Sequence, residues 1–120
     1  EAVEIFRESN ASLSPILEAF VEGRPADPDL VQQVFEFNMG RRDSEQQNWA
    51  GNLLAYLGEH QAGLELIRKG IDSGYCAYPS LETDPLIAGL RSDPELADAW
   101  TEAVAAGKAC HEEFLAAIDQ

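Results

Sequence analysis

The sequence predicts an all-α protein built from helical hairpins. Three observations carry that reading. Apolar residues recur at steps of three and four in successive stretches of the 120-residue chain. Cap-plus-proline pairs stand at Ser14-Pro15, Asp27-Pro28, Asp84-Pro85 and Asp93-Pro94. A side-chain oxygen there takes up orphan amides, and proline fits the first turn because its missing N–H is not needed. Gly23 and Gly58 follow the apolar stripes, where a residue without Cβ can close a helix in the left-handed conformation.

Residues 2–6, with Val3, Ile5 and Phe6, read as the tail of a helix whose start is missing, and Asn10, Ala11 and Ser12 break it. The chain opens on Glu1 without a methionine, which fits a piece of a longer protein. Ser14 then caps a helix carrying Leu13, Ile16, Leu17, Phe20 and Val21, with Glu18 near its positive end and Gly23 closing it. A Pro/Asp-rich connector leads to Asp27-Pro28 and a second stripe of Leu30, Val31, Val34, Phe35 and Phe37, stopped by Met39-Gly40. Arg41, Arg42 and Asp43 form a short link, and Ser44 is the expected N-cap of the next helix.

The central stretch runs from Gln47 to Asp72 as two amphipathic helices around a turn at Gly58-Glu59-His60. Trp49, Leu53, Leu54 and Leu57 are the expected core stripe of the first, and Leu64, Leu66, Ile67 and Ile71 that of the second. The small residues Gly51, Ala55, Gly63 and Gly70 leave bare backbone where helices can approach closely. Beyond Gly74 the helical period stops, and Pro79 bars a helix through the Tyr75–Leu81 segment. Asp84-Pro85 opens a short helix. Asp93-Pro94 opens a long one reaching about Ile118, with Leu96, Trp100, Ala103, Val104, Gly107, Cys110, Phe114, Leu115 and Ile118 as its apolar set. Gly107 weakens that helix by about 1 kcal/mol relative to alanine, or marks a bend or a close-packing point.

A hairpin with these small residues and a large aromatic near its start resembles a tetratricopeptide repeat, through Trp49, Gly51, Leu54, Gly58, Gly63, Ile67 and Gly70. Gly63 and Gly70 stand where the family usually has alanine. Gly23 and Gly58 are 35 positions apart, close to the roughly 34-residue period of such a repeat, so the first hairpin reads as a degenerate copy. The segment with Gly74-Tyr75, Tyr78-Pro79, Leu81, Asp84-Pro85-Leu86 and Leu90-Arg91-Ser92-Asp93-Pro94-Glu95-Leu96 resembles the closing passage of many bacterial tetratricopeptide proteins. There a final helix caps the stack, at the C-terminus of multidomain regulators. The resemblance implies a right-handed hairpin stack in one domain: residues 1–43 a degenerate repeat, 44–74 the best-matched repeat, and 75–120 loop and capping helices. Physically, a cap covers the apolar end that an open stack would otherwise expose.

Charge and composition narrow the function. With 22 acidic against 8 basic residues, the net charge is −14. The basic residues are scattered, so there is no stripe to replace counterions on nucleic acid and no patch for an anionic membrane. No apolar run is long enough to cross a bilayer. Cys76 and Cys110 are expected to be reduced packing residues, which favours a reducing, cytoplasmic setting.

No constellation points to catalysis. His111-Glu112-Glu113 lacks the second histidine of a zinc-protease helix, since Leu115 occupies that place. Cys76, Cys110, His60 and His111 fit no zinc-ligand spacing. Glu102, Glu112 and Glu113 read as a solvated face, and no glycine-rich phosphate loop or nucleophile elbow is present. No cofactor and no metal are expected.

What remains is a binding surface. Asn48, Asn52 and Tyr56 share one stripe at i, i+4 and i+8, with Arg42 and Glu45 at its flank. An asparagine amide both donates and accepts, which suits the backbone of an extended peptide. Peptide-holding members of the resembled family use asparagines at matching places. The absence of a lysine near the stripe disfavours a terminal carboxylate as ligand, and a basic or neutral peptide suits the charge better. The expected function is a non-catalytic peptide- or protein-binding module. The alternatives are self-association through Val3, Ile5 and Phe6 or through the convex face of the stack, giving a homo-oligomer, and a sensing domain of an attached enzyme or transcription regulator with Tyr75 and Tyr78 lining a pocket.

Overall fold

The structure, a computed structural model, describes residues 13–118. The expectations placed on residues 2–6, on the break at 10–12 and on the Ser14 side chain lie outside what it describes. Among the described residues every regular element is helical. The elements are α1 (Leu13–Val21), α2 (Pro28–Met39), α3 (Ser44–Tyr56), α4 (His60–Asp72), α5 (Ser80–Thr83), α6 (Ala88–Arg91) and α7 (Ala97–Ile118). Single 3₁₀ turns at Pro85–Ile87 and Pro94–Leu96 lead into α6 and α7. The chain divides into two compact units, Glu1–Gly40 and Arg41–Gln120.

In the first unit α1 and α2 pack as a hairpin. Ile16 and Ala19 of α1 and Val31 and Val34 of α2 are its buried residues. The main chain closes α1 through the Gly23 N–H to the Phe20 carbonyl and the Arg24 N–H to the Ala19 carbonyl. Asp27 caps α2 as expected, its carboxylate accepting the Asp29 N–H at 2.9 Å. The α1 helix already includes Leu13, two residues ahead of the expected first helical residue Pro15, so Ser14 lies within the helix instead of capping it.

The second unit is organised by the α3–α4 hairpin. A Cβ on Gly51 would stand 2.7 Å from the Gly63 carbonyl oxygen, and one on Gly63 would stand 2.6 Å from that of Gly51. The two backbones therefore touch without side chains between them, as the small residues foretold. Asp43, not Ser44, caps α3, accepting the Glu45 and Gln46 N–H groups at 3.1 and 3.2 Å. The longer, charged side chain one residue earlier takes the role, and Ser44 becomes the first helical residue.

The core of this unit gathers Leu64, Ile67 and Ile71 of α4 with Leu81, Ile87, Leu90 and Ala103. The two aspartate caps hold the segment that follows α4: the Leu86 N–H reaches Asp84 at 2.9 Å and the Glu95 N–H reaches Asp93 at 3.0 Å. Arg91 adds a third tie, its Nη1 donating to the Leu81 carbonyl at 2.9 Å. Helix α7 runs to Ile118 as expected, but only Ala103 and Gly107 are buried along it. Phe114, Leu115 and Ile118, expected on its core stripe, are exposed.

Cys76 and Cys110 form a disulfide, which corrects the expectation of reduced thiols. Sequence spacing cannot reveal that the loop after α4 and the fourth turn of α7 lie side by side. Gly107, one turn before Cys110, makes that approach: a Cβ there would stand 2.9 Å from the Cys76 carbonyl oxygen and 3.0 Å from Leu81 Cδ1. It is a close-packing point.

Candidate partner-binding face of α3

Helix α3 presents three faces. Gly51 and Ala55 meet α4, and Gly70 of α4 comes up against Ser44 and Asn48. Leu54, Ala50 and Gln47 are buried on a second side. The third carries Glu45, Trp49, Asn52 and Tyr56, which fall within roughly 60° of arc at about 100° per residue.

The expected core stripe is therefore rotated. Trp49 is 47% exposed, and Leu53 and Leu57 are only half-buried, while Gln47 is fully buried in their place. Gln47 is tolerated inside because its Nε2 donates to the Arg41 carbonyl at 2.8 Å, which also fixes the link before the helix. The bare crossing of Gly51 with Gly63 sets this rotation, since it decides which side of α3 must face α4.

The residues expected to bind a partner are placed as follows. Asn52 Nδ2 donates to Asn48 Oδ1 at 2.9 Å, joining the two amides along the helix. Asn52 is half-buried and Tyr56 is 48% exposed. Asn48 sits on the shoulder toward α4, only 9% exposed, and its Nδ2 is buried with no hydrogen-bond partner. A buried donor left in that state costs about 1–3 kcal/mol. Glu45 is exposed on the same face, and its backbone N–H is used by the Asp43 cap. Arg42 is exposed on the link ahead of the helix, outside the stripe.

Trp49 is the residue that sequence reasoning assigned to the wrong side. Its step of four from Glu45 and of seven to Tyr56 placed it with the exposed set. Bulk and hydrophobicity argued for the core instead.

Elsewhere in the second unit, His60 Nδ1 and Asp93 Oδ2 pair at 2.8 Å, tying the start of α4 to the turn before α7. That contact, together with the Glu95 N–H, holds the Asp93 carboxyl below the ordinary aspartate range, against a smaller opposing effect of burial. The Tyr78 ring tilts against His111, with centroids 5.5 Å apart. Among the described residues no three His, Cys, Asp or Glu side chains gather as a metal site, and both cysteines are consumed by the bridge. One depression of about 190 Å³ lies beside Leu64, Leu96 and Ala99, and another of about 270 Å³ beside Arg91, Trp100 and Val104. Both are smaller than the roughly 300–1,000 Å³ of usual small-molecule sites, and neither is lined by Tyr75 or Tyr78. Among the described residues no helix is long and apolar enough to cross a membrane.

Comparison with protein-family models, with curated proteins and with solved structures found no match.

Proposed function

We propose that this chain is a non-catalytic interaction module that holds an extended peptide segment along the outer face of α3. The observation that carries the proposal is the set of side chains on that face. Two half-exposed aromatics, Trp49 and Tyr56, flank a hydrogen-bonded pair of asparagine amides. Exposed tryptophan and tyrosine beside polar side chains of fixed geometry are the composition of binding hot spots. The net charge of −14 favours a segment carrying lysine or arginine, with Glu45 at the end of the stripe as a counter-charge.

The tetratricopeptide resemblance supports a role as a scaffold module at the end of a larger bacterial regulatory protein. In that setting the α5–α7 segment is the cap of the stack.

The test is a selection from a random peptide library displayed on phage, followed by affinity measurement on the winning peptides. Replacing Asn48, Asn52 and Tyr56 together by alanine, in a variant shown to fold by circular dichroism, is expected to weaken binding at least about 30-fold, the loss of a hot spot. Equal affinity for parent and variant would remove the α3 face from the proposal. The single change Asn48→Ala is expected to leave the unfolding midpoint near that of the parent, since removing the unpaired Nδ2 donor offsets the loss of the hydrogen bond from Asn52 to Oδ1.

A further inference from the structure

The Cys76–Cys110 bridge sits at an informative place on α7. Up to Gly107 the helix belongs to the core: Ala103 and Gly107 are buried, and Trp100, Val104 and Ala106 pack against the core cluster. After Gly107 nothing is buried. Residues 108–118, about three turns, are exposed except for Cys110 and His111, which are half-buried. The anchors of this outer part are the disulfide and the Tyr78–His111 ring contact, both to the 76–78 stretch, and the packing of Cys110 itself against the core cluster.

An isolated helix of about three turns is marginal in water, because its nucleation is unfavourable. Gly107 at the junction weakens helix propagation there further. The outer turns of α7 therefore depend on the bridge, while the inner turns depend on burial.

We propose that the Cys76–Cys110 disulfide is a redox latch on the outer turns of α7, opened by a dithiol reductant. Two electrons and two protons pass from the dithiol to the bridge. The S–S bond breaks, Cys76 and Cys110 become thiols, and the reductant takes up the disulfide. Opening releases residues 108–118 and leaves the α3–α4 hairpin and the inner turns of α7 folded. The half-burial of both cysteines keeps the bridge within reach of such a reductant.

The experiment is amide hydrogen exchange on the full chain, read by mass spectrometry, with and without an excess of small dithiol. The double variant Cys76→Ser/Cys110→Ser is run in parallel. The expected result is loss of slow exchange across residues 108–118 on reduction, with protection of 60–72 and 97–107 retained. The double variant should show the reduced pattern under both conditions and ignore the dithiol. Unchanged protection at 108–118 on reduction would overturn the latch. So would simultaneous loss of protection across the whole unit, which would make the bridge a global staple. A dithiol effect that persists in the double variant would overturn it as well, and so would free thiols in the chain purified under air.

Discussion

At Gly51 and Gly63 a single methyl group decides whether two helices can cross. The 2.6–2.7 Å that an added Cβ would leave to a backbone oxygen is closer than real Cβ atoms come, and neither backbone has a flexible end to yield. Either Gly→Ala change would gain about 1 kcal/mol of helix propensity. Overpacking of this kind costs typically 1–3 kcal/mol, so the clash wins. We expect Gly51→Ala and Gly63→Ala each to lower the urea midpoint of unfolding, with an unchanged midpoint showing that the crossing has slack. These glycines were legible in the sequence because small size at helical spacing has one simple use. Gln47 and Trp49 were not. Their burial depends on which flank of α3 the glycine crossing turns inward, and on a main-chain acceptor, the Arg41 carbonyl, that only the fold brings into place.

Between elements, the His60–Asp93 pair is the polar tie that links α4 to the turn before α7. Asp93 serves twice: one carboxylate oxygen caps Glu95 and the other meets His60. Its lowered titration point sets the sign of the pH effect. A carboxylate held lower in the folded chain than in the unfolded one contributes stability above its unfolded value. That contribution fades as pH falls through the folded value, in acid below about pH 4. Denaturant midpoints measured across that range for the parent and Asp93→Asn should differ above pH 4 and converge below it. Parallel curves would show that the pair does not couple to folding. The caps at Asp27, Asp84 and Asp93 were readable, since aspartate followed by proline specifies a first turn locally. The partner of Asp93 was not, because His60 lies a whole helix away in sequence. The stripe of α7 misled at Phe114, Leu115 and Ile118 for a related reason: periodicity reveals an apolar face and cannot reveal where the neighbour covering it ends.

On the scale of the whole chain, charge is the dominant fact. A surplus of acidic residues giving −14 sets a negative field around any partner site, and salt screens it with a Debye length of about 10 Å at 0.1 M. Affinity for a lysine- or arginine-bearing peptide on the α3 face should therefore fall as salt rises, and Glu45→Gln should flatten that slope. A salt-independent affinity would place the recognition in the aromatics and amides alone. The all-α class was legible from periodicity and caps, and the pairing of Cys76 with Cys110 was hidden by the long stretch of chain between them. That same stretch has a mechanical consequence. If the chain is tethered through its C-terminus, a pull on α7 enters at Cys110 and crosses directly to Cys76. The 34-residue separation between the cysteines, roughly 120 Å of extended chain, is shielded from the load while the bridge is closed. With the bridge open, the folded inner turns of α7 carry the load and only the released residues 108–118, up to roughly 40 Å of extended chain, add compliance, so redox state sets how far a partner on α3 can stray from a C-terminal attachment point.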